Sequence, residues 1–232
     1  MKLSIIIPSY NEGRTILEII RRVRLVDVGM EKEIIVVDGA STDGTREKLK
    51  QEEGKPDITI IYETLREGKG AAVRKGFDKA TGDITLIQDA DLEVNPDEYP
   101  NLLKHIVSRE TDVVFGSRFL GRDTKFRAAS LLANKTIIFL VNLLYGARMT
   151  DILTCYKVFR TEALKGLCFE CKGFDFDSEL AVKLLKNGVK IMEVPISYTP
   201  RTYGDGKKIN WKDGFKSVHV IIRNRFPRPG QK

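Results

Sequence analysis

Histidine is almost missing from this chain of 232 residues, with only His105 and His219 present. Cysteine is scarce and odd in number: Cys155, Cys168 and Cys171. An odd count without a secretory leader points to a reducing compartment. Cys168 and Cys171 have C-x-x-C spacing, but no second pair follows, so a zinc site would have to borrow both histidines; free thiols are expected instead. The first apolar segment, residues 3–7, is too short for a signal peptide or an anchor. The longest apolar stretch, residues 128–147, is broken by Asn134, Lys135 and Asn142, and falls short of a membrane span. No G-x-x-x-x-G-K-[ST] run occurs, so P-loop phosphoryl transfer is unsupported. Internal repeats and low-complexity linkers are also lacking, which excludes solenoids and tethered arrays.

What is present suits one globular domain with a real core, at 42% hydrophobic residues. The net charge of +7 is unevenly placed. Residues 201–232 carry nine Lys/Arg and two Asp, and the other 30 basic and 30 acidic residues cancel. The excess therefore belongs to a C-terminal arm, so the chain divides into a domain at 1–200 and a basic loop and amphipathic helix at 201–232. Such an arm points to phosphate or an anionic surface. It lacks the basic surface interleaved with aromatics that nucleic-acid binding would need, and no nucleic-acid partner is expected.

Short β-branched runs at 3–7, 33–37, 58–62, 84–87 and 113–115 alternate with helical patterns at 15–24, 45–53, 71–80 and from Asn95 onward. Asn95-Pro96-Asp97-Glu98 has the spacing of a capping box, with Glu98 reaching back to the cap. Strands apolar on both faces, each followed by a helix, predict an α/β fold with a mainly parallel, doubly wound sheet. After residue 120 the pattern changes. Residues 126–146 read as an apolar helix, 151–159 as a loop returning to a strand, 179–187 as a helix and 190–198 as a strand. Residues 210–225 read as an amphipathic helix with Trp211, Phe215, Val218 and Ile222 on one side.

The strand at 84–87 runs into Asp89-Ala90-Asp91-Leu92-Glu93. Three carboxylates at a strand end repel one another and resist burial, so positive charge belongs there. A divalent cation with oxygen ligands, magnesium or manganese bridging phosphates, is the simplest candidate. In doubly wound sheets ligands bind beyond the carboxyl ends of the strands. That edge collects residues 8–12 and 38–43, Lys69, residues 89–93 and Arg118. The loop at 201–208 adds Arg201 and Lys207 beside two glycines, a composition suited to closing over phosphate. Gly68-Lys69-Gly70-Ala71-Ala72-Val73 imitates a dinucleotide fingerprint, but Val73 stands where the third glycine belongs, and Asp89 belongs to a cluster. Asp175, Asp177 and Glu179 form another acidic group, suited to capping the following helix or to holding a base.

Ile5-Ile6-Ile7-Pro8-Ser9-Tyr10-Asn11-Glu12, Ile35-Val36-Val37-Asp38 with Ser41-Thr42-Asp43-Gly44-Thr45, and Gln88-Asp89-Ala90-Asp91-Leu92-Glu93 together resemble the family 2 glycosyltransferases. Gly116-Ser117-Arg118-Phe119, residues 151–159 and Arg201-x-x-Gly204-x-Gly206-Lys207 narrow the likeness to dolichol-phosphate mannose synthases and related polyprenyl-phosphate glycosyltransferases. The resemblance implies a GT-A, Rossmann-like sheet, a nucleotide-sugar donor (GDP- or UDP-hexose), Mg2+ or Mn2+, and a polyprenyl (dolichyl) phosphate acceptor. It implies that Pro8, Tyr10, Glu12, Val37 and Asp38 line the nucleotide pocket, with Lys69 and Ala90 at its rim. Asp89 and Asp91 would hold metal and diphosphate, with Glu93 as a further metal ligand. Arg118, Arg127, Arg201 and Lys207 would handle the two phosphate groups. Glu93 stands where the mannose synthases often carry Gln, and Gly39 where many members carry a second acid that contacts the base, which leaves uracil against guanine open.

A phosphate monoester acceptor is already anionic, so transfer needs alignment and charge neutralisation but no general base. Direct displacement would invert the anomeric carbon. A hydroxyl acceptor would instead need a base, with Asp177 as the candidate. The lipid acceptor implies a protein of the cytoplasm, peripheral at the membrane face, with residues 131–145 and 210–225 as docking elements or as core-packing helices.

Overall fold

The computed structural model describes residues 1–121, 128–201, 208 and 211–226. The β-branched runs become strands β1 (Lys2–Ser9), β2 (Glu31–Asp38), β3 (Ile58–Tyr62), β4 (Ile84–Ile87) and β5 (Val113–Ser117). Between them lie helices α1 (Ile16–Leu25), α2 (Thr45–Leu49), α3 (Lys69–Lys79) and α4 (Tyr99–Val107). The second half adds α5 (Ala128–Tyr145), β6 (Lys157–Arg160), α6 (Phe176–Lys186), β7 (Ile191–Pro195) and α7 (Trp211–Arg225). The described residues form one seven-stranded sheet in the order β3-β2-β1-β4-β6-β5-β7. It is parallel except for β6, which runs antiparallel to both its neighbours, β4 and β5. The sheet is thus mostly parallel, with helices on both faces. An apolar run reveals that a strand exists but not which way it points.

Because the strands are apolar on alternate and intervening positions alike, two cores form. Ile5, Ile7 and Leu86 pack with Ile16 and Ile20 of α1 and Leu102 and Ile106 of α4. On the other face Ile87, Phe115 and Phe159 meet Val73 of α3, Leu180 of α6, Val141 of α5 and Val220 of α7. The contact of α3 with β1 is tight: a Cβ on Gly76 would lie 2.3 Å from Ile6 Cγ2. Gly76→Ala is therefore expected to destabilise by about 1–3 kcal/mol through overpacking, despite alanine's better helix propensity. A lower urea midpoint at unchanged m-value would show it.

The start of α4 departs from the expected capping box. Asn95 does accept from Asp97 N at 3.2 Å, and a 3-10 turn at Pro96–Glu98 precedes the helix. Glu98, however, accepts from Ser197 N at 2.8 Å, so it ties the segment after β7 to α4 rather than closing the box. The two apolar C-terminal helices pack together, with the Tyr145 hydroxyl donating to Ile221 O at 2.8 Å. Ile137, Ile138, Val141, Val220 and Ile221 are buried, while Leu132, Phe139, Leu143, Trp211, Phe215, Ile222 and Phe226 remain exposed. Each helix thus divides its apolar residues between the core and the surface.

Candidate active site

Parallel pairing brings three strand ends to one edge. Ser9 lies opposite Asp38, and Ile6 opposite Ile87. The antiparallel β6 begins at the same edge, with Lys157 opposite Ile87. The first two loops are laced together. Asn11 N donates to Ser41 Oγ at 2.8 Å, Glu12 N to Thr45 Oγ1 at 2.9 Å, and Gly13 N to Asp43 Oδ2 at 2.9 Å. Asn11, Ala40 and Leu92 adopt positive φ at 50°, 59° and 63°, one in each of the three loops. Such conformations are costly for non-glycine residues and persist where surroundings over-determine them.

Glu12, Asp91 and Glu93 converge on Arg201. Its guanidinium lies 2.9 Å from Glu12 Oε2 and 3.0 Å from Asp91 Oδ2, and its backbone N donates to Glu93 Oε1 at 2.7 Å. Lys208 adds a second cation on Glu12. Burial, followed by the charges of Asp89 and Glu93, pushes the Asp91 carboxyl up to about 7 against the opposing pull of Arg201. The cluster is short of positive charge even with Arg201 in it. The loop's backbone is fixed from below by Gln88, whose Nε2 donates to Asp89 O at 2.9 Å. Gln88 Oε1 in turn accepts from the Tyr99 and Tyr156 hydroxyls at 2.8 and 2.9 Å. Gln88 was not among the expected site residues, although its place between strand and acidic loop marked it.

Asp89 faces another way. Lys69 Nζ lies 3.0 Å from Asp89 Oδ1 and 3.4 Å from Asp177 Oδ2, and Lys157 Nζ lies 2.6 Å from Asp177 Oδ1. Burial opposes the charge on Lys69, but Asp177 and then Asp89 outweigh it and raise its pKa. Burial likewise opposes the Asp177 carboxylate, and the two lysines hold it below the usual range. That makes Asp177 a weak base. Nor does Glu179 cap its own helix: it accepts from the backbone of Glu170 and Cys171 at 3.0 and 2.8 Å. Asp175 occupies the cap position of α6 without a side-chain bond there.

Arg118 is carried by the end of β5 and makes a two-pronged pair with buried Asp151, Nε to Oδ2 at 2.7 Å and a second N–H to Oδ1 at 3.0 Å. Its guanidinium also lies 5.1 Å from the Tyr198 ring centroid. Arg127 and Lys207 lie outside the described residues. On the nucleotide side, Pro8 pairs with Val37 across β1 and β2. Asp38 is fully buried and takes Arg46 on Oδ2 at 2.6 Å, while its Oδ1 has no hydrogen-bond partner among the described residues. The Tyr10 ring carries the Arg66 guanidinium at 4.0 Å. A Cβ on Gly39 would lie 3.6 Å from Glu63 Oε2, so buried Glu63 brings a carboxylate to the place that Gly39 leaves. Ala90 is buried behind the acidic loop.

The glycines of the imitation fingerprint serve packing. A Cβ on Gly68 would lie 2.4 Å from Lys172 O, and one on Gly70 2.6 Å from Cys171 O. Gly70 N and Ala71 N donate to Gly173 O and Lys172 O, each at 3.2 Å. Those amides, which a phosphate would need, are already used.

Among the described residues no three acidic, histidine or cysteine side chains form a ready-made metal cage. Lys69 and Arg201 stand between the carboxylates instead. The oxygen donors of Asp89, Asp91 and Glu93 are nonetheless those a hard divalent cation takes.

Residues 4–168 match the family model described as Glycosyl transferase family 2. A dolichol-phosphate mannosyltransferase of Pyrococcus furiosus is 31% identical over 96% of this chain, which spans 63% of that relative's length. A polyprenol monophosphomannose synthase of Mycolicibacterium smegmatis is 31% identical over 97% of this chain and 88% of its own. Among solved structures, glucosyl-3-phosphoglycerate synthase from Mycobacterium tuberculosis, in complex with Mn2+, UDP and phosphoglyceric acid, superposes with a TM-score of 0.75. It is 18% identical, over 99% of this chain and 80% of the other, and so speaks to the fold.

Proposed function

The chain belongs to glycosyl transferase family 2, and on that premise we propose that it moves a hexose from a nucleotide-diphosphate sugar to a polyprenyl phosphate, inverting the anomeric carbon. The observation that carries this is the charge cluster at the strand ends, in which Glu12, Asp91 and Glu93 surround Arg201, with Asp89 and Lys69 alongside. The names of the two mannosyltransferase relatives support the acceptor class.

The chemistry follows from charge. Asp89, Asp91 and Glu93 would hold a divalent cation, Mg2+ or Mn2+, which would neutralise the leaving diphosphate. Pro8, Tyr10, Val37 and Asp38 form the wall for the nucleoside, with Asp38 Oδ1, unpartnered among the described residues, as an acceptor for a base N–H. Arg118 and Arg201, with Arg127 and Lys207 from outside the described residues, would bind phosphate. Arg201 would leave its carboxylates as cation and donor enter. The acceptor phosphate brings its own nucleophilic oxygen, so these residues need only align and desolvate it. The hydroxyl-acceptor alternative is not favoured, because Asp177 is held by two lysines.

Incubating the protein with a panel of labelled nucleotide sugars and dolichyl phosphate tests this. Organic-extractable label from one donor is expected, and would identify sugar and base together. No extractable label from any donor would sink the proposal.

Access to the lipid is proposed to run through the exposed stripes of α5 and α7. No helix among the described residues is long and apolar enough to cross a membrane. Trp211 and Phe215 are 72% and 69% exposed, with Lys212, Lys216, Arg223 and Arg225 on the same helix. Apolar residues flanked by basic ones suit the surface of an anionic bilayer. The Trp211→Glu/Phe215→Glu double variant is expected to lower co-sedimentation with anionic phospholipid vesicles at least about tenfold, at unchanged melting temperature.

A further inference from the structure

Four charged side chains run inward from the site with alternating sign: Asp89, Lys69, Asp177 and Lys157. Their successive separations are 3.0, 3.4 and 2.6 Å. Lys157 is fully buried, its Nζ also donating to Thr154 O and lying 5.2 Å from the Phe115 ring centroid. A lysine so deep is rare and is tolerated only when paired. The four charges sum to zero, which lets the row be buried as a unit. The pairing within it is unequal. Asp177 gives one oxygen to Lys157 at 2.6 Å and its other to Lys69 at 3.4 Å, so Lys69 leans toward Asp89.

We propose that Lys157 and Asp177 are positioning residues: their pairing sets how far Lys69 neutralises Asp89, and hence how much of the Asp89 charge is left for a divalent cation and the donor diphosphate. This rests on the assignment of Asp89 and Asp91 to cation and diphosphate made above. The two residues never touch the donor, and they act through Lys69. The alternative is that the pair only fastens β6 to α6.

The two accounts differ in sign. In Asp177→Asn, Lys69 has no carboxylate but Asp89, and the row gains positive charge. In Lys157→Met, Asp177 turns wholly to Lys69 and draws it off Asp89, and the row gains negative charge. Binding of Mn2+ to the full chain, followed by electron paramagnetic resonance alone and with GDP or UDP, reads the difference. Asp177→Asn is expected to bind Mn2+ at least about tenfold more weakly, the size usual for groups that orient metal ligands. Lys157→Met is expected to bind it about threefold more tightly or better, as loss of a nearby positive charge requires. The double variant should fall between Asp177→Asn and wild type, because its net charge is restored while Lys69 still has no carboxylate but Asp89. Both single variants break a buried pair, so both lose melting temperature. If both also lose Mn2+ affinity, the pair is a fastening and the proposal is overturned. Should Lys157→Met not fold, Lys69→Met reads the same balance with Mn2+ alone: tighter binding supports the proposal, and weaker or equal binding refutes it. A wild-type chain that binds no Mn2+ with either nucleotide overturns the site assignment itself, and the proposal with it.

Discussion

Asp91→Asn is expected to lower the rate of sugar transfer by about three orders of magnitude or more while leaving the fold as stable as wild type, or more so. The rate loss follows from the role proposed for Asp91. Charge stabilisation of a leaving diphosphate is worth several kcal/mol, and each 1.4 kcal/mol is about tenfold in rate. The stability result follows from its surroundings. Burial, and then the charges of Asp89 and Glu93, push the Asp91 carboxyl up to about 7, while Arg201 keeps Glu12 as a partner if Asp91 loses its charge. The sign of the pH dependence is fixed by the same shift. An unfolded aspartate titrates near about 4, so between about 4 and about 7 the folded chain holds a proton that the unfolded chain has released. Stability therefore declines as pH rises through that window, and Asp91→Asn should lack this part of the decline. Melting curves at pH 4.5 and 7.5 in the presence of a chelator would show it. A variant that transfers sugar at the wild-type rate would remove Asp91 from the chemistry.

The largest stability effect is expected at the other end of the site. Asp151→Ala leaves the Arg118 guanidinium buried without the carboxylate that grips it at 2.7 and 3.0 Å. It also removes the acceptor for Arg118 N and Leu153 N, at 3.1 and 3.2 Å. Breaking a buried pair from one side costs about 3–5 kcal/mol. For a chain of this size that is a fall in melting temperature of at least about 6 °C. Asp151→Asn keeps the shape and one neutral acceptor, so it should fall between alanine and wild type. If Asp151→Ala melts within about 2 °C of wild type, the pair carries no structural weight. In that case Arg118 would be free to move to phosphate at no cost, and transfer should persist.

Arg118 also illustrates what could be read in advance. Its position at a strand end was legible because alternating apolar runs number the strands, and parallel pairing brings their ends together. Its partner was not: Asp151 is 33 residues away. It reaches Arg118 because β6 enters the sheet from the opposite direction. Asp89-Ala90-Asp91 was legible as a charge anomaly, since three acids after a buried strand demand a counter-charge. Lys69 was legible at the same sheet edge as Asp89, 20 residues away, but that Arg201 pairs with Asp91 could not be read, because it depends on a segment folding back across 110 residues. Glu98 had the spacing of a cap and was used elsewhere, by Ser197 N, a nearer demand in space than in sequence. Glu63 was hidden for a related reason. Glycine at position 39 reads as an absent acid, and only the pairing of Asp38 with Tyr62 brings Glu63, the residue just after β3, into the gap.

The reversed strand β6 has a consequence for how the chain is made. It lies between β4 and β5, yet it begins only at Lys157, well after β5 has ended at Ser117. Until residue 160 has left the ribosome, Ile84–Ile87 has one open edge, and Val113–Ser117, whose neighbours β6 and β7 are both still to come, has two. Open strand edges are where incomplete chains misassociate. Of the seven strands, β3, β2, β1 and β4 are thus neighbours in the sheet that are all made before β6, which joins them to β5 and β7. The same step delivers the Asp151 loop to Arg118, whereas buried Lys157 gains its partner only when Asp177 of α6 follows.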